Sequence, residues 1–199
     1  MEKKTEKTNL LRHHPRWTAR DLTECALFLA LIAVGARIQI PVPYLDYFTL
    51  QFFFVLLCGL WLGPQKGAMA VGGYVLLGLF GVPVFAGGGG LGYVLRPSFG
   101  YLLGFVGAAY VAGWLRRRLP EGKRGYGLAT FGALLVTYGV GILYKYAVLR
   151  WYLATPTPLW VLFASCFPLD LPGDGVLCIL AVFVMEKSKQ YGLLRGERI

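Results

Sequence analysis

The chain has 199 residues, of which 56% are hydrophobic and only 15% charged, and its mean hydropathy is +0.57. Soluble domains carry about 25% charged residues, so the composition points to one membrane-embedded domain rather than two soluble ones. The net charge of +10 would suit a nucleic-acid binder, but the cations cluster between apolar runs, where they act as topology signals, and no soluble domain remains to present them.

Residues 1–20 form a basic tail with Lys3, Lys4, Lys7, Arg12, Arg16 and Arg20. The tail lacks the cleavage pattern of a secretory signal and is expected to be cytoplasmic. A first apolar run goes from about Leu22 to Ile40, carries Glu24 and Arg37, and stops at Pro41 and Pro43. A second runs from about Phe48 to Leu62 and stops at Gly63-Pro64. The third, from about Gly67 to Gly81, stops at Pro83. There follows a loop with four consecutive glycines, Gly87 to Gly90, ringed by Phe85, Tyr93, Arg96 and Phe99. A fourth run, from about Phe99 to Leu115, leads into the basic linker RRRLPEGKR, and a fifth ends near Arg150. The sixth is interrupted: it begins near Leu159, meets Pro168 and Pro172, and resumes from Asp174 to Met185.

The predicted fold is therefore all-α: six transmembrane helices over residues 21–187, with the Gly-rich loop between helices 3 and 4 entering the outer half of the membrane. Irregular backbone is tolerated at that depth only where it lines a cavity. Several runs are shorter than the roughly 20 residues that cross a bilayer, which tilt and partly embedded loops would make up. Six spans put both termini on one side, with residues 188–199 as a second basic tail. That side, shared with the Gly63–Lys66 turn and the RRRLPEGKR linker, holds sixteen of the twenty Lys and Arg. The positive-inside rule makes it the cytoplasm of a multi-pass plasma-membrane protein. Trp17, Trp61, Trp114, Trp151 and Trp160 are expected at the lipid interfaces.

Charges within apolar runs cost a few kcal/mol or more, so each needs a reason. Lys145 shares a helical face with Tyr138, seven residues earlier, and either faces a cavity or snorkels outward. Asp174 follows Pro172 and Gly173 and is expected to be the N-cap of a short last helix, below the outer boundary of the hydrocarbon core. Asp170 is expected nearer the outside. Arg37, Asp46 and Arg96 fall at the outer rim, and Arg96 belongs to the glycine loop. Gln51 is a polar group in an apolar run and needs a partner. Small residues four apart, at Gly100, Gly104, Ala108 and Ala112, predict close helix packing, and Ala26 and Ala30 repeat the spacing on the first run.

Cys25, Cys58, Cys166 and Cys178 lie in apolar runs without metal or redox spacing, and His13 and His14 sit poorly for a metal. No carboxylate or histidine cluster suggests a resident metal, no cofactor motif is present, and no nucleophile–base pair or hydrolase motif suggests catalysis. An outer cavity with aromatic walls, glycine backbone, a carboxylate and one or two cations suits a small, partly apolar ligand with a polar head and a carboxylate.

The strings ARIQIPVP, FTLQFFFVLLCGLWLGPQKGAMA, YVLLGLFGVPVFAGGGGLGYVLRPSFGYLLGF and LPGD, in this order, closely resemble the BioY family. Those proteins are biotin-binding S components of energy-coupling-factor (ECF) transporters. The resemblance implies a six-helix subunit that captures biotin from outside and hydrolyses nothing itself. A transmembrane coupling subunit and two ATPase subunits would complete the transporter, with membrane lipid around it. It also implies that Asp174, the LPGD aspartate, accepts from the ureido N–H groups. Loop N–H groups at Gly88, Gly89 and Gly90 would donate to the ureido carbonyl, with Phe85, Tyr93 and Gln51 nearby. Ala26 and Ala30 match the family's small-xxx-small contact with the coupling subunit. Many members carry a lysine three residues after the aspartate, where this chain has Leu177, so Lys145 or Arg96 is expected to meet the ligand carboxylate. Many also have Gly-Pro-Thr where Arg96-Pro97-Ser98 stands here. An S component for a related vitamin and a membrane-embedded enzyme acting on lipid are the alternatives.

Overall fold

The computed structural model describes residues 17–40, 48–155, 157–166 and 170–192. The basic tail up to Arg16, Pro41 to Asp46, Pro168 and the cations Arg195 and Arg198 lie outside the described residues. Among the described residues, seven α-helices run in chain order: α1 (Ala19–Arg37), α2 (Gln51–Leu62), α3 (Pro64–Leu79), α4 (Phe99–Arg118), α5 (Lys123–Ala147), α6 (Leu159–Cys166) and α7 (Asp170–Gln190). Two short strands, β1 (Gln39–Ile40) and β2 (Phe48–Thr49), pair antiparallel between α1 and α2. This two-stranded ribbon is a small departure from the all-α expectation. A π-type turn over Val148–Tyr152 extends α5.

Local chemistry explains most boundaries. Thr18 caps α1 in a capping box: its hydroxyl accepts from the Asp21 N–H at 3.2 Å, and its own N–H donates to the Asp21 carboxylate at 3.0 Å. Gly63, at φ +82°, ends α2, and Pro64 opens α3 at a position whose N–H is unused in any helix. The turn is that tight because Gly63 faces the Arg117 guanidinium, 2.7 Å from where a Cβ would be. Pro172 does not break α7, because it is the third residue of that helix. Asp174 is therefore the fifth helical residue and not its N-cap, so the capping role expected from Pro172 and Gly173 is wrong.

Contacts sort the helix ends into two groups. Lys66, in the first turn of α3, pairs with Asp21 of α1 at 2.7 Å. The end of α4 reaches the end of α2 through Arg116, which donates to the carbonyls of Leu60 and Trp61. Lys189 of α7 pairs with Glu121 in the α4–α5 linker at 3.1 Å. At the opposite end Arg37 donates to the Pro83 carbonyl, and the glycine loop, Lys145 and the start of α7 gather there.

The predicted small-residue stripe packs inside. A Cβ on Gly104 would fall 2.9 Å from the Thr137 carbonyl oxygen of α5, and Ala108 and Ala112 are fully buried. Gly59 of α2 meets the backbone of Ala109 of α4 in the same way. The outer surface is apolar: Leu27, Leu76, Phe131, Ile179 and Phe183 are all more than half exposed. So wide an apolar exterior fits hydrocarbon rather than water. Among the described residues one helical stretch, Lys123–Tyr152, is long and apolar enough by length and composition to cross a membrane. The 12 residues of α2 span only about 18 Å.

Candidate functional site

A cavity of about 130 Å³ opens among α2, α4, α5, the glycine loop and the start of α7. One water needs roughly 10–15 Å³ by the same measure, so the space is several times larger than a single-water site and large enough for a small ligand. Its aromatic and apolar wall includes Phe52, Tyr101, Leu102 and Phe105. Its polar groups include Gln51, Arg96, Tyr138, Lys145, Asp170 and Asp174.

Each polar side chain arrives by a definite route. Asp174 sits one turn into α7, and its Oδ2 accepts a 2.9 Å hydrogen bond from the Tyr138 hydroxyl of α5. Oδ1 accepts none among the described residues. The first turn of α7 comes close because Gly173 has no side chain: a Cβ there would lie 2.4 Å from the Phe48 ring of β2. Lys145 stands two turns beyond Tyr138 on the same face of α5, lines the cavity, and has no hydrogen bond or ion pair among the described residues. Of the two roles expected for it, the structure shows the cavity-facing one. Gln51, first residue of α2, is only 3% exposed, and its Nε2 makes no hydrogen bond among the described residues, although the Tyr74 hydroxyl lies near the amide. A buried amide N–H without an acceptor costs about 1–3 kcal/mol. Asp170, the first residue of α7 and one turn nearer the helix end than Asp174, also lines the cavity and is partly exposed.

The glycine loop is a finished wall. Rings from α3, the loop, α4 and α5 form a ladder: Tyr74 to Phe85 at 5.5 Å, Phe85 to Tyr93 at 4.6 Å, Tyr93 to Phe99 at 6.4 Å, Phe99 to Tyr144 at 5.8 Å. The two end tyrosines tie loop carbonyls, Tyr74 to Val84 at 3.0 Å and Tyr144 to Val94 at 2.6 Å. Gln39 adds a 2.8 Å bond to the Ala86 carbonyl. Arg96 lies over the Tyr93 ring with its guanidinium carbon 4.9 Å from the centroid. It passes so close to Gly87 that a Cβ there would be 2.3 Å from Nη1.

Four nominated loop residues do not reach the ligand space. Phe85 is fully buried in the ladder, against Gly78. The Gly88 N–H donates to Phe85 and the Gly90 N–H to Gly78, so neither is available to a ligand. Both residues have positive φ, +113° and +102°, which is why glycine stands there. Gly89 approaches the Val82 carbonyl to 2.4 Å at its missing Cβ. The cavity wall takes Ala86 and Gly87 instead. The tyrosines Tyr101 and Tyr138 were not nominated, although the seven-residue spacing to Lys145 already put Tyr138 on the right face. Ala26 and Ala30 lie far from the cavity in sequence and are both exposed on α1.

With this geometry in hand, comparison with known proteins decides the family. The model of the BioY family matches residues 4–192. The chain belongs to the BioY family. A probable biotin transporter BioY of Lysinibacillus sphaericus is 38% identical over 179 residues, covering 89% of this chain and 90% of that protein. The biotin transporter BioY of Rhodobacter capsulatus is 37% identical, covering 86% of this chain and 94% of its own. The fold is shared with a solved structure of the S component for biotin from an ECF-type ABC transporter, at TM-score 0.67 and 24% identity, over 88% of this chain and 95% of that one. Leu177, three residues after the LPGD aspartate, is buried in the core at 4% exposure. No cation comes from that position.

Proposed function

We propose that this chain is the biotin-capturing membrane subunit of a vitamin uptake transporter. Within that family, one observation carries the reading: an aromatic-walled cavity whose Asp174 Oδ1, Lys145 Nζ and Gln51 Nε2 all lack partners among the described residues. Biotin supplies a match for each. Its ureido N–H groups donate to Asp174, its ureido carbonyl accepts from Gln51, and its carboxylate pairs with Lys145. Arg96 at the rim is the second cation for that carboxylate. The thioether ring and valerate chain lie against the aromatic wall.

The wider arrangement follows the same reading. Six helical passes cross the membrane, α6 being a short outer helix, and residues 21–187 form the membrane domain. The ends with Lys66, Arg116 and Lys189 face the cytoplasm with both basic tails, and the glycine loop walls the outer half. Ala26 and Ala30, exposed on α1, receive a transmembrane coupling subunit, and ATPase subunits power import. The subunit itself carries out no chemistry on its ligand.

Labelled biotin should bind the purified, monodisperse protein saturably, with one site per chain. A protein that is folded but binds no biotin at high micromolar concentration would refute the reading. Buried Leu177 gives a reason to run related vitamins as competitors in the same assay. A cysteine placed at Gly92 should react with an impermeant probe from outside, and one at Lys123 should not. The reverse would turn the cavity toward the cytoplasm.

A further inference from the structure

Resting on the biotin reading, we infer that Tyr138 is a positioning residue: its hydroxyl fixes the Asp174 carboxylate so that one oxygen is held and the other is presented to the ligand.

A carboxylate on a helix swings about two side-chain torsions, and an unheld one has several rotamers to lose on binding. Here one oxygen is taken by a neutral donor from a different helix, at 2.9 Å. The second oxygen accepts no hydrogen bond among the described residues, and both residues line the cavity. A phenol suits this task better than an arginine or lysine. It donates a single bond and brings no charge, so Asp174 keeps its full acceptor strength for the ligand.

The phenol is itself held. The Tyr101 ring of α4 meets the Tyr138 ring edge-on, at 5.8 Å and 82°. The Tyr101 hydroxyl in turn lies 3.3 Å from the Cys166 sulfur at the end of α6. Tyr138 also packs on the small cluster of Ile142, Leu162 and Cys166 that seats α6 against α5. Three helices thus set the ring, and the ring sets the carboxylate. A purely structural tie between α5 and α7 accounts for less. Those helices already meet two turns earlier on α5, where the Cys178 sulfur of α7 lies 3.9 Å from the Thr130 carbonyl, and Ala129, Ala133 and Ala181 are fully buried in the same core cluster. Tyr138 instead lines the open space of the cavity.

The test uses the full chain in detergent with labelled biotin, comparing wild type, Y138F, D174N and the double variant. Y138F should weaken biotin roughly tenfold. In the D174N background the same change should cost less than about twofold: Tyr138 there holds the Asn oxygen and leaves the NH2, which is no acceptor, toward the ligand, so no ligand acceptor remains for it to position. A tie that only holds the bundle would cost the same factor in both backgrounds, and that result overturns the proposal, as does wild-type binding by Y138F. Should Y138F fail to elute as a single species, Y138H, measured near pH 8 where imidazole is mostly neutral, returns a ring N–H donor. It should recover both elution and binding, and recovery of elution without binding would overturn the proposal. Failure of the wild-type chain to bind biotin would instead remove the reading on which the proposal rests.

Discussion

The two ends of the bundle treat their polar groups differently. At the basic end several charges are paired within the chain: Asp21 with Lys66 and Thr18, Glu121 with Lys189, Arg116 with the closing carbonyls of α2. The Tyr126 hydroxyl and Glu186 Oε1 are buried there without a partner among the described residues, but neither lines the cavity. At the cavity end Lys145, Gln51 Nε2 and one oxygen of Asp174 find no partner among the described residues. Lack of a partner alone does not separate the two ends. What sets the cavity end apart is that its unpartnered groups belong to residues that line one open space.

The largest expected effect breaks the cavity end. Asp174→Ala removes the ligand acceptor and strands the Tyr138 hydroxyl, and biotin affinity should fall by more than about 150-fold. Asp174→Asn keeps an oxygen for Tyr138 and should lose roughly 10- to 150-fold. Next, Lys145→Met should cost about 10-fold or more for biotin and little for biotin amide, which has no carboxylate. Selective loss in Arg96→Gln, with Lys145→Met unaffected, would move the carboxylate to Arg96. Gln51→Leu should sharpen the comparison, weakening biotin by about 2- to 10-fold while raising the melting temperature of the ligand-free protein. A lower melting temperature would mean that the amide is satisfied within the fold.

Changes elsewhere should leave affinity alone. The Lys66 ammonium and the Thr18 N–H hold the Asp21 carboxyl well below the usual carboxylate range, ahead of the apolar run. A group whose pKa is lowered by folding stabilises above its unfolded value, about 3.9 for Asp, and this contribution is lost as pH falls further. Asp21→Asn should therefore lower the melting temperature at pH 7. The difference from wild type should shrink below about pH 4, with biotin affinity unchanged throughout. Large residues at Ala26 and Ala30 should likewise spare biotin binding while abolishing co-purification with a coupling subunit. Loss of folding instead would mean that α1 packs there within the chain.

Much of this architecture was legible in the sequence because hydrocarbon imposes simple rules. Apolar runs, their Pro and Gly stops and the placement of Lys and Arg located the helices and grouped their ends. Asp174, Lys145 and Gln51 stood out because polar groups in apolar runs are costly, and Arg96 because it belongs to the glycine loop. Other features depended on long-range pairing. Whether Tyr138 meets Asp174 depends on the register of α5 against α7, which no local pattern encodes. The N–H groups of Gly88 and Gly90 looked available only because the loop's internal turns, and Gly78 beneath them, were not in view. Asp174 was misplaced at a helix start because Pro172 reads as a break, although proline is tolerated throughout the first helical turn.

The aromatic ladder has a consequence for how affinity responds to distant changes. A wall clamped through Tyr74 and Tyr144 exists before any ligand arrives, so nearly every molecule is competent to bind. Loosening a clamp, as in Tyr144→Phe, would admit conformers without a formed cavity. The observed affinity would then drop by the fraction of molecules still competent, while the contacts within each complex stay the same.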